Sequence, residues 1–204
     1  MASPSGHAAD VRAARDIGRL LAARRHAATV RFGLRLDDLL QLIEAHHAVG
    51  GREAGRRRRT DALNRAALIV LTDCFEGFVL DLFQGRWATL YPSSDPAPLL
   101  RRMHFNNPWP DDIDSLFALV GIVDITKKAE GRPTASSAAP SRTASEPMFV
   151  RERGSHQIRQ VVAEMIALRN VAVHVGAAAK ARLSDVTAYL NEVRYLAVEM
   201  SGRL

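Results

Sequence analysis

The segment from Thr60 to Leu90 constrains the fold more than any other part of the chain. Its large apolar residues recur at intervals of three and four, which places them on one stripe of an α-helix. In a half-buried strand they would recur at every second position. Thr60 and Asp61 suit a helix start, and Tyr91-Pro92 suits a stop. The spacing therefore predicts a helix that ends near Leu90 and has as its core stripe Leu68, Leu71, Phe75, Phe78 and Leu82.

A first helix is predicted upstream, from Ala8 to Ala48, because this stretch lacks proline and spaces its leucines and isoleucines helically. Gly33 marks a potential break in it, and Gly50-Gly51 is a strong stop signal. The polar residues 51–59 are predicted to form a loop. This loop contains the basic run Arg56, Arg57, Arg58 and Arg59.

Three more helices are predicted toward the C-terminus. A short one opens at Asp111-Asp112 and closes at Gly121, and a longer one runs from about Arg151 to Val175 with Gly176 as its stop. The last helix has Ser184 as its candidate cap, and its apolar spacing is that of a bundle seam. The seam consists of Leu183, Val186, Leu190, Val193, Ala197 and Met200.

The predicted fold is all-α, an up-and-down helical bundle of about four to five main helices, because no segment has the pattern of a strand. A long mobile loop is expected near 124–147. Residues 131–147 contain no aromatic and no aliphatic residue larger than alanine, so they cannot bury enough apolar surface to offset the entropy of ordering. The chain is expected to form one structural domain, in which residues 1–59 (the N-terminal helix and Arg-rich loop) pack on a helical domain of 60–204.

Composition limits the cellular setting. The formal net charge of +6 is compatible with a polyanionic partner such as nucleic acid. Cys74 is the only cysteine, which excludes an intramolecular disulfide and favours a reducing compartment. The longest apolar runs are too short to span a bilayer, and the N-terminus lacks the apolar core of a secretory signal. A cytoplasmic protein without membrane contact is therefore expected.

Among the seven histidines, His174 has the most suggestive neighbours. Asn170 lies four positions before it, so the two share a face of the predicted helix. Arg169 lies about 100° round from Asn170, so its long side chain is expected to converge with His174 on one exposed pocket that holds a phosphate. Together they supply a permanent cation, an amide and a group that titrates near neutrality within an otherwise apolar helix, where polar residues are costly unless they have a role. No other histidine has partners at metal-ligand spacing, so no metal site is predicted.

Arg169-Asn170 followed by His174 resembles the Arg-Asn-x-x-x-His signature of the HEPN superfamily of helical nucleotide-binding and RNA-cleaving domains. The segment Asp73-Cys74-Phe75-Glu76-Gly77-Phe78-Val79 resembles the acid-Gly-Phe centre of the second helix in the RiboL-PSP branch. Phe105-Asn106-Asn107-Pro108, with the apolar residues that follow up to Ile122, resembles its middle segment. The resemblance covers roughly Thr60 to Gly202.

The resemblance implies an endoribonuclease that needs neither metal nor cofactor. The ribose 2′-hydroxyl would attack the adjacent phosphate, so the substrate is RNA and not DNA. His174 would act as general acid or base, and Arg169 would stabilise charge on the transition state. Asn170 would orient His174 or the backbone. Glu76, together with Asp73, would hold Arg169 in place from the neighbouring helix.

The resemblance also implies partners. HEPN domains commonly form homodimers in which two motifs face each other across one cleft, giving a composite active site. A toxin or defence effector of this kind is restrained by an antitoxin or another regulatory protein. The run Arg56–Arg59 is independent of the resemblance. It is interpreted as a solvated charged loop, and its functional alternative is an RNA-binding patch that contacts phosphates.

Two other functional classes stay open at this stage. The chain could be a non-catalytic HEPN-like module that binds RNA, nucleotide or a protein partner, in which Arg169 forms a helix-end salt bridge. His174 would then simply be a histidine favoured by the helix dipole. A DNA-binding regulator also fits the charge, but no compact helix-turn-helix pattern is present.

Overall fold

The computed structural model describes residues 25–46, 54–103, 105, 107–130, 158–176 and 180–204, with backbone alone for 54–57 and 130. Within these ranges the chain is helical and contains no strand, which confirms the predicted all-α class. The described helices are α1 (25–46), α2 (Ala54–Leu90), α3 (Ala97–Met103), α4 (Pro110–Ala118), α5 (Ile125–Glu130), α6 (Ile158–His174) and α7 (Leu183–Gly202).

The long helices alternate in direction. Arg169 on α6 bonds to Asp73 on α2, and the later residue Ala181 accepts a hydrogen bond from the earlier Asn64, so α2 and α6 are antiparallel. Helices α1 and α2 are antiparallel as well. Arg31 pairs with Asp81, whereas the later residue Arg35 accepts a hydrogen bond from the earlier Cys74. The C-terminal ends of α1 and α6 therefore meet the N-terminal ends of α2 and α7 at one end of the bundle, called the His174 end below.

The core lies between α1, α2, α6 and α7, and its aromatic side chains pack in tilted pairs. The rings of Phe32 and Phe78 have centroids 4.8 Å apart, and Phe83 meets Phe117 edge to face at 6.1 Å. These separations are typical of favourable aromatic contacts. The predicted stripe of α2 is buried in this core, as are most seam residues of α7. The buried members are Leu68, Leu71, Phe75, Phe78, Leu82, Val186, Leu190, Val193, Ala197 and Met200.

In the N-terminal half, the long first helix is confirmed over residues 25–46 and the predicted start of the second helix is wrong. Helix α1 continues through Gly33 without a break, since burial of Phe32 and Leu36 outweighs the roughly 1 kcal/mol that a helical glycine costs relative to alanine. Helix α2 begins at Ala54, so Arg56–Arg59 lie in its first turns and not in a loop, and Thr60 is not the cap. Alanine and arginine are strong helix formers, which extends the helix past the predicted start. The predicted ends of the first helix, before 25 and after 46, lie outside the described residues.

Two corrections also apply to the C-terminal half. The first part of the predicted loop near 124–147 is helix α5, anchored by Ile125 and Ala129, both fully buried; residues 131–147 lie outside the description. The N-cap of α7 is Arg182 and not Ser184. The backbone N–H of Arg182 donates a hydrogen bond of 3.0 Å to the Asp185 carboxylate.

The predicted stops at Gly121 and Gly176 are confirmed. The two residues have φ of 80° and 62°, backbone conformations that favour glycine at a helix end. Helix α6 begins at Ile158 within the described residues and ends at His174, one residue from its predicted end. None of the helices in the described ranges combines the length and apolar content needed to cross a membrane.

A buried polar centre ties α4, α5 and α6 together. The carboxylate of Asp114, 8% exposed, accepts hydrogen bonds from the backbone N–H of Thr126 at 2.7 Å and from its hydroxyl at 2.9 Å. The Arg159 guanidinium also donates to Asp114, and to Asp111. A buried carboxylate with this many donors is well satisfied, and removing it leaves those donors without an acceptor.

Replacing Asp114 with alanine should therefore lower the free energy of unfolding by roughly 2 to 3 kcal/mol. The matched control is Asp112→Ala, which removes an exposed carboxylate from the first turn of the same helix. The measurement is chemical denaturation followed by circular dichroism. Equal effects of the two substitutions would show that the buried centre does not stabilise the fold.

Candidate active site

Arg169 is held by three side chains. Its Nη2 donates to Asp73 Oδ1 at 3.0 Å, and its Nη1 donates to Asn170 Oδ1 at 3.3 Å and, more weakly, to Asn107 Oδ1 at 3.5 Å. Its Nε is buried and has no hydrogen-bond partner among the described residues. The side chain is 20% exposed, so the guanidinium is fixed at the protein surface and not free in solvent.

On α2, the residue that accepts a hydrogen bond from Arg169 is Asp73. The resemblance implies Glu76 first for this role. Glu76 lies nearby, half-buried, and its electrostatic interactions are with Asp73 and Arg169. Burial raises the pKa of Glu76 above its ordinary value of 4.5, and the neighbouring Asp73 raises it further, while Arg169 opposes both. We call Asp73, Glu76, Asn107, Arg169 and Asn170 the Arg169 cluster.

Asn107 is the member that sequence reasoning missed. It precedes α4 in a connecting segment and reaches Arg169 across 62 positions of sequence. Its neighbours Asn106 and Pro108 indicate only a turn. Nothing local marks the Asn107 side chain as a partner of α6, so the fold alone brings the two together.

His174 stands apart from the Arg169 cluster. It is exposed at the last position of α6 and makes no hydrogen bond or ion pair with described residues. It shares a face with Asn170, one turn earlier. Five positions along a regular helix correspond to about 140°, however, so Arg169 and His174 project from different sides of α6. A single chain therefore does not direct both groups at one phosphate.

The basic run is only partly described. Arg58 and Arg59 are exposed on the first turns of α2, and the side chains of Arg56 and Arg57 lie outside the description. Because α2 is antiparallel to α6, these arginines lie at the same end of the bundle as His174.

A cavity of about 460 Å³ opens elsewhere, at the N-terminal end of α6. Arg159, which lines this cavity, lies ten residues before Arg169, about 15 Å away along the helix. Asp112 is part of the cavity wall. Burial raises the pKa of its carboxyl group, and the negative charge of the nearby Asp111 raises it further. This acidic lining suits a phosphate poorly, and the wall includes none of the predicted site residues: it consists of Trp109, Pro110, Asp111, Asp112, Arg159, Gln160 and Ala163.

Comparison of the chain with family models, with curated proteins and with solved structures finds no match. The resemblance to the HEPN superfamily therefore rests on the sequence motifs alone. Among the described residues, no three side chains of His, Cys, Asp or Glu lie close enough together to hold a metal ion.

The raised pKa of Glu76 has a consequence for stability. The folded state binds the Glu76 proton more tightly than the unfolded state, so this group makes stability fall as pH rises above about 4.5 through the folded pKa. Glu76→Gln should therefore raise the melting temperature at pH 7 and leave it unchanged at pH 4. Thermal unfolding at the two pH values tests this.

The control is Glu44→Gln, which removes an exposed carboxylate on α1. A lower melting temperature for Glu76→Gln at pH 7 would mean that attraction to Arg169 outweighs burial, contrary to the expectation.

Proposed function

We propose that this protein is an endoribonuclease that cleaves RNA without a metal ion, as the resemblance to the HEPN superfamily implies. The observation that supports it best is the guanidinium of Arg169, which Asp73, Asn107 and Asn170 fix at the surface five residues before the exposed His174 on the same helix. Phosphodiester cleavage of this kind uses a pre-oriented cation that stabilises the charged phosphate and an imidazole that transfers a proton. The cellular role we propose is that of a toxin or defence effector.

In this mechanism the 2′-hydroxyl oxygen bonds to the adjacent phosphorus and the bond from phosphorus to the 5′-oxygen breaks. A histidine accepts the proton of the hydroxyl or donates one to the leaving oxygen. The products are a 2′,3′-cyclic phosphate and a 5′-hydroxyl. Arg169 donates hydrogen bonds to the phosphoryl oxygens as negative charge accumulates on them, and Asp73 keeps the guanidinium oriented.

The angle between Arg169 and His174 requires a second chain for this chemistry. We propose a homodimer in which Arg169 of one copy faces His174 of the other. Val171 and Val175, 40% and 60% exposed, lie on one side of His174 and would supply apolar contact for such an interface. A two-fold axis would then generate two equivalent composite sites.

The first test is cleavage of RNA in the presence of EDTA. The wild-type chain should produce fragments with 5′-hydroxyl ends, and His174→Ala should lower the rate by about 10²- to 10⁴-fold with the helical content unchanged. The control is His26→Ala, an exposed histidine on α1. Cleavage that needs a divalent ion, or that survives His174→Ala, would contradict the mechanism.

Mixing two inactive variants tests the composite site. If Arg169 and His174 act across the interface, a heterodimer of Arg169→Ala and His174→Ala keeps one intact site of two. An equal mixture that exchanges subunits freely should then recover about a quarter of wild-type activity, since half of the dimers are mixed. No recovery, despite demonstrated subunit exchange, would place both groups in one chain.

A second function is favoured by one observation. Both terminal nitrogens of Arg169 already donate within the protein, and Asp73 balances its charge, an arrangement typical of a structural arginine. On this basis the alternative is a non-catalytic helical module that binds RNA. Salt-sensitive RNA binding without products would favour it.

A further inference from the structure

The His174 end of the bundle collects positive charge from two separate elements. Arg58 and Arg59 belong to the first turns of α2, while Lys180 and Arg182 belong to the connection before α7, and all four side chains are exposed. The hydrogen bond from Asn64 Nδ2 to the carbonyl oxygen at position 181, 3.1 Å long, holds this connection against α2. Arg59 lies five residues before Asn64, about 8 Å along the helix.

The same helix relates this charge to the candidate site. Arg59, Ala66 and Asp73 are seven positions apart, and seven positions on a helix return to within about 20° of the same direction. Arg59 therefore projects from the exposed side of α2, within about 40° of Asp73, which contacts Arg169. Measured along the bundle from that contact, His174 lies at about 8 Å and Arg59 at about 21 Å.

Asp61 and Asp185, the carboxylates nearest in sequence to these four cations, offset only part of their charge. Asp61 lies on nearly the opposite side of α2 from Arg59, two positions earlier, but shares a face with Arg58, three positions earlier. The Asp185 carboxylate accepts hydrogen bonds from the backbone N–H of Arg182 and from the hydroxyl of Ser184. The positive dipole ends of α2 and α7 are offset by the negative dipole ends of α1 and α6 at the same end of the bundle, so the exposed side chains carry the positive charge.

We propose that Arg58, Arg59, Lys180 and Arg182 form a phosphate-binding surface that holds an RNA strand beyond His174, on the side away from the Arg169 cluster. This inference rests on the proposed function for the identity of the strand. The four cations contact phosphates and release the counterions condensed on them, which gives affinity without base specificity.

Salt dependence of binding tests the surface. The probe is a short fluorescent oligouridylate with 2′-O-methyl riboses, which lacks the nucleophile and so reports binding alone. Two double variants, Arg58→Gln/Arg59→Gln and Lys180→Gln/Arg182→Gln, should each lower the slope of log affinity against log salt by about 1.4, the value for two lost single-strand contacts. With equal affinities at 1 M salt as the reference, affinity at about 0.1 M salt should fall roughly 25-fold relative to the wild type.

The matched control is Lys127→Gln/Lys128→Gln on α5, which removes the same charge from the opposite end of the bundle. It should leave the slope unchanged. Circular dichroism of every variant establishes that the fold is kept. If the surface variants bind like the control, the surface proposal is wrong.

Cleavage of unmodified RNA separates this result from the proposed function. Weakened binding by the surface variants, with no cleavage by the wild type, would support the surface and overturn the nuclease. Cleavage by the wild type, with all variants binding equally, would overturn the surface and leave the nuclease standing.

Discussion

Burial of one face of α2 determines where every candidate site residue lies. Leu68, Phe75 and Phe78 are fully buried among the other long helices, so α2 can neither rotate nor slide without exposing large apolar side chains. Asp73 and Arg59 share a stripe of the same helix and are therefore placed by the same packing. The 3.0 Å ion pair between Asp73 and Arg169 is therefore a consequence of the packing of α2 against α6 and does not cause that packing.

The spacing of apolar residues correctly predicted the helices that bury a continuous stripe. It missed α5 and the start of α2, where the sequence contains no such stripe. Helix α5 has only six residues, too few for a period to be read, although Ile125 and Ala129 are both in the core. The starts of α2 and α7 were misplaced because a candidate cap such as Thr60 or Ser184 is worth about 1 kcal/mol, which favourable neighbouring residues readily offset.

The candidate site was only partly predictable for a related reason. Arg169, Asn170 and His174 are close in sequence, so their association on one helix could be read directly. Asn107 contributes through a contact that only the assembled bundle creates. The expected convergence of Arg169 and His174 on one pocket is not what a regular helix provides, since five positions separate their directions by about 140°.

The charged groups fall into two kinds that suit different steps of the proposed reaction. Arg169 is one-fifth exposed and anchored by Asp73, so it loses little entropy and reorganises little when charge develops on a phosphate beside it. Arg58, Arg59, Lys180 and Arg182 are exposed, and their long side chains can follow a flexible strand. Interactions that are equal in the ground and transition states increase occupancy, whereas an anchored cation can favour the transition state. In the proposed reaction, the exposed cations at the His174 end hold the RNA strand, and the anchored Arg169 stabilises the transition state. Only Arg169 needs carboxylate and amide partners, because only its orientation must be fixed.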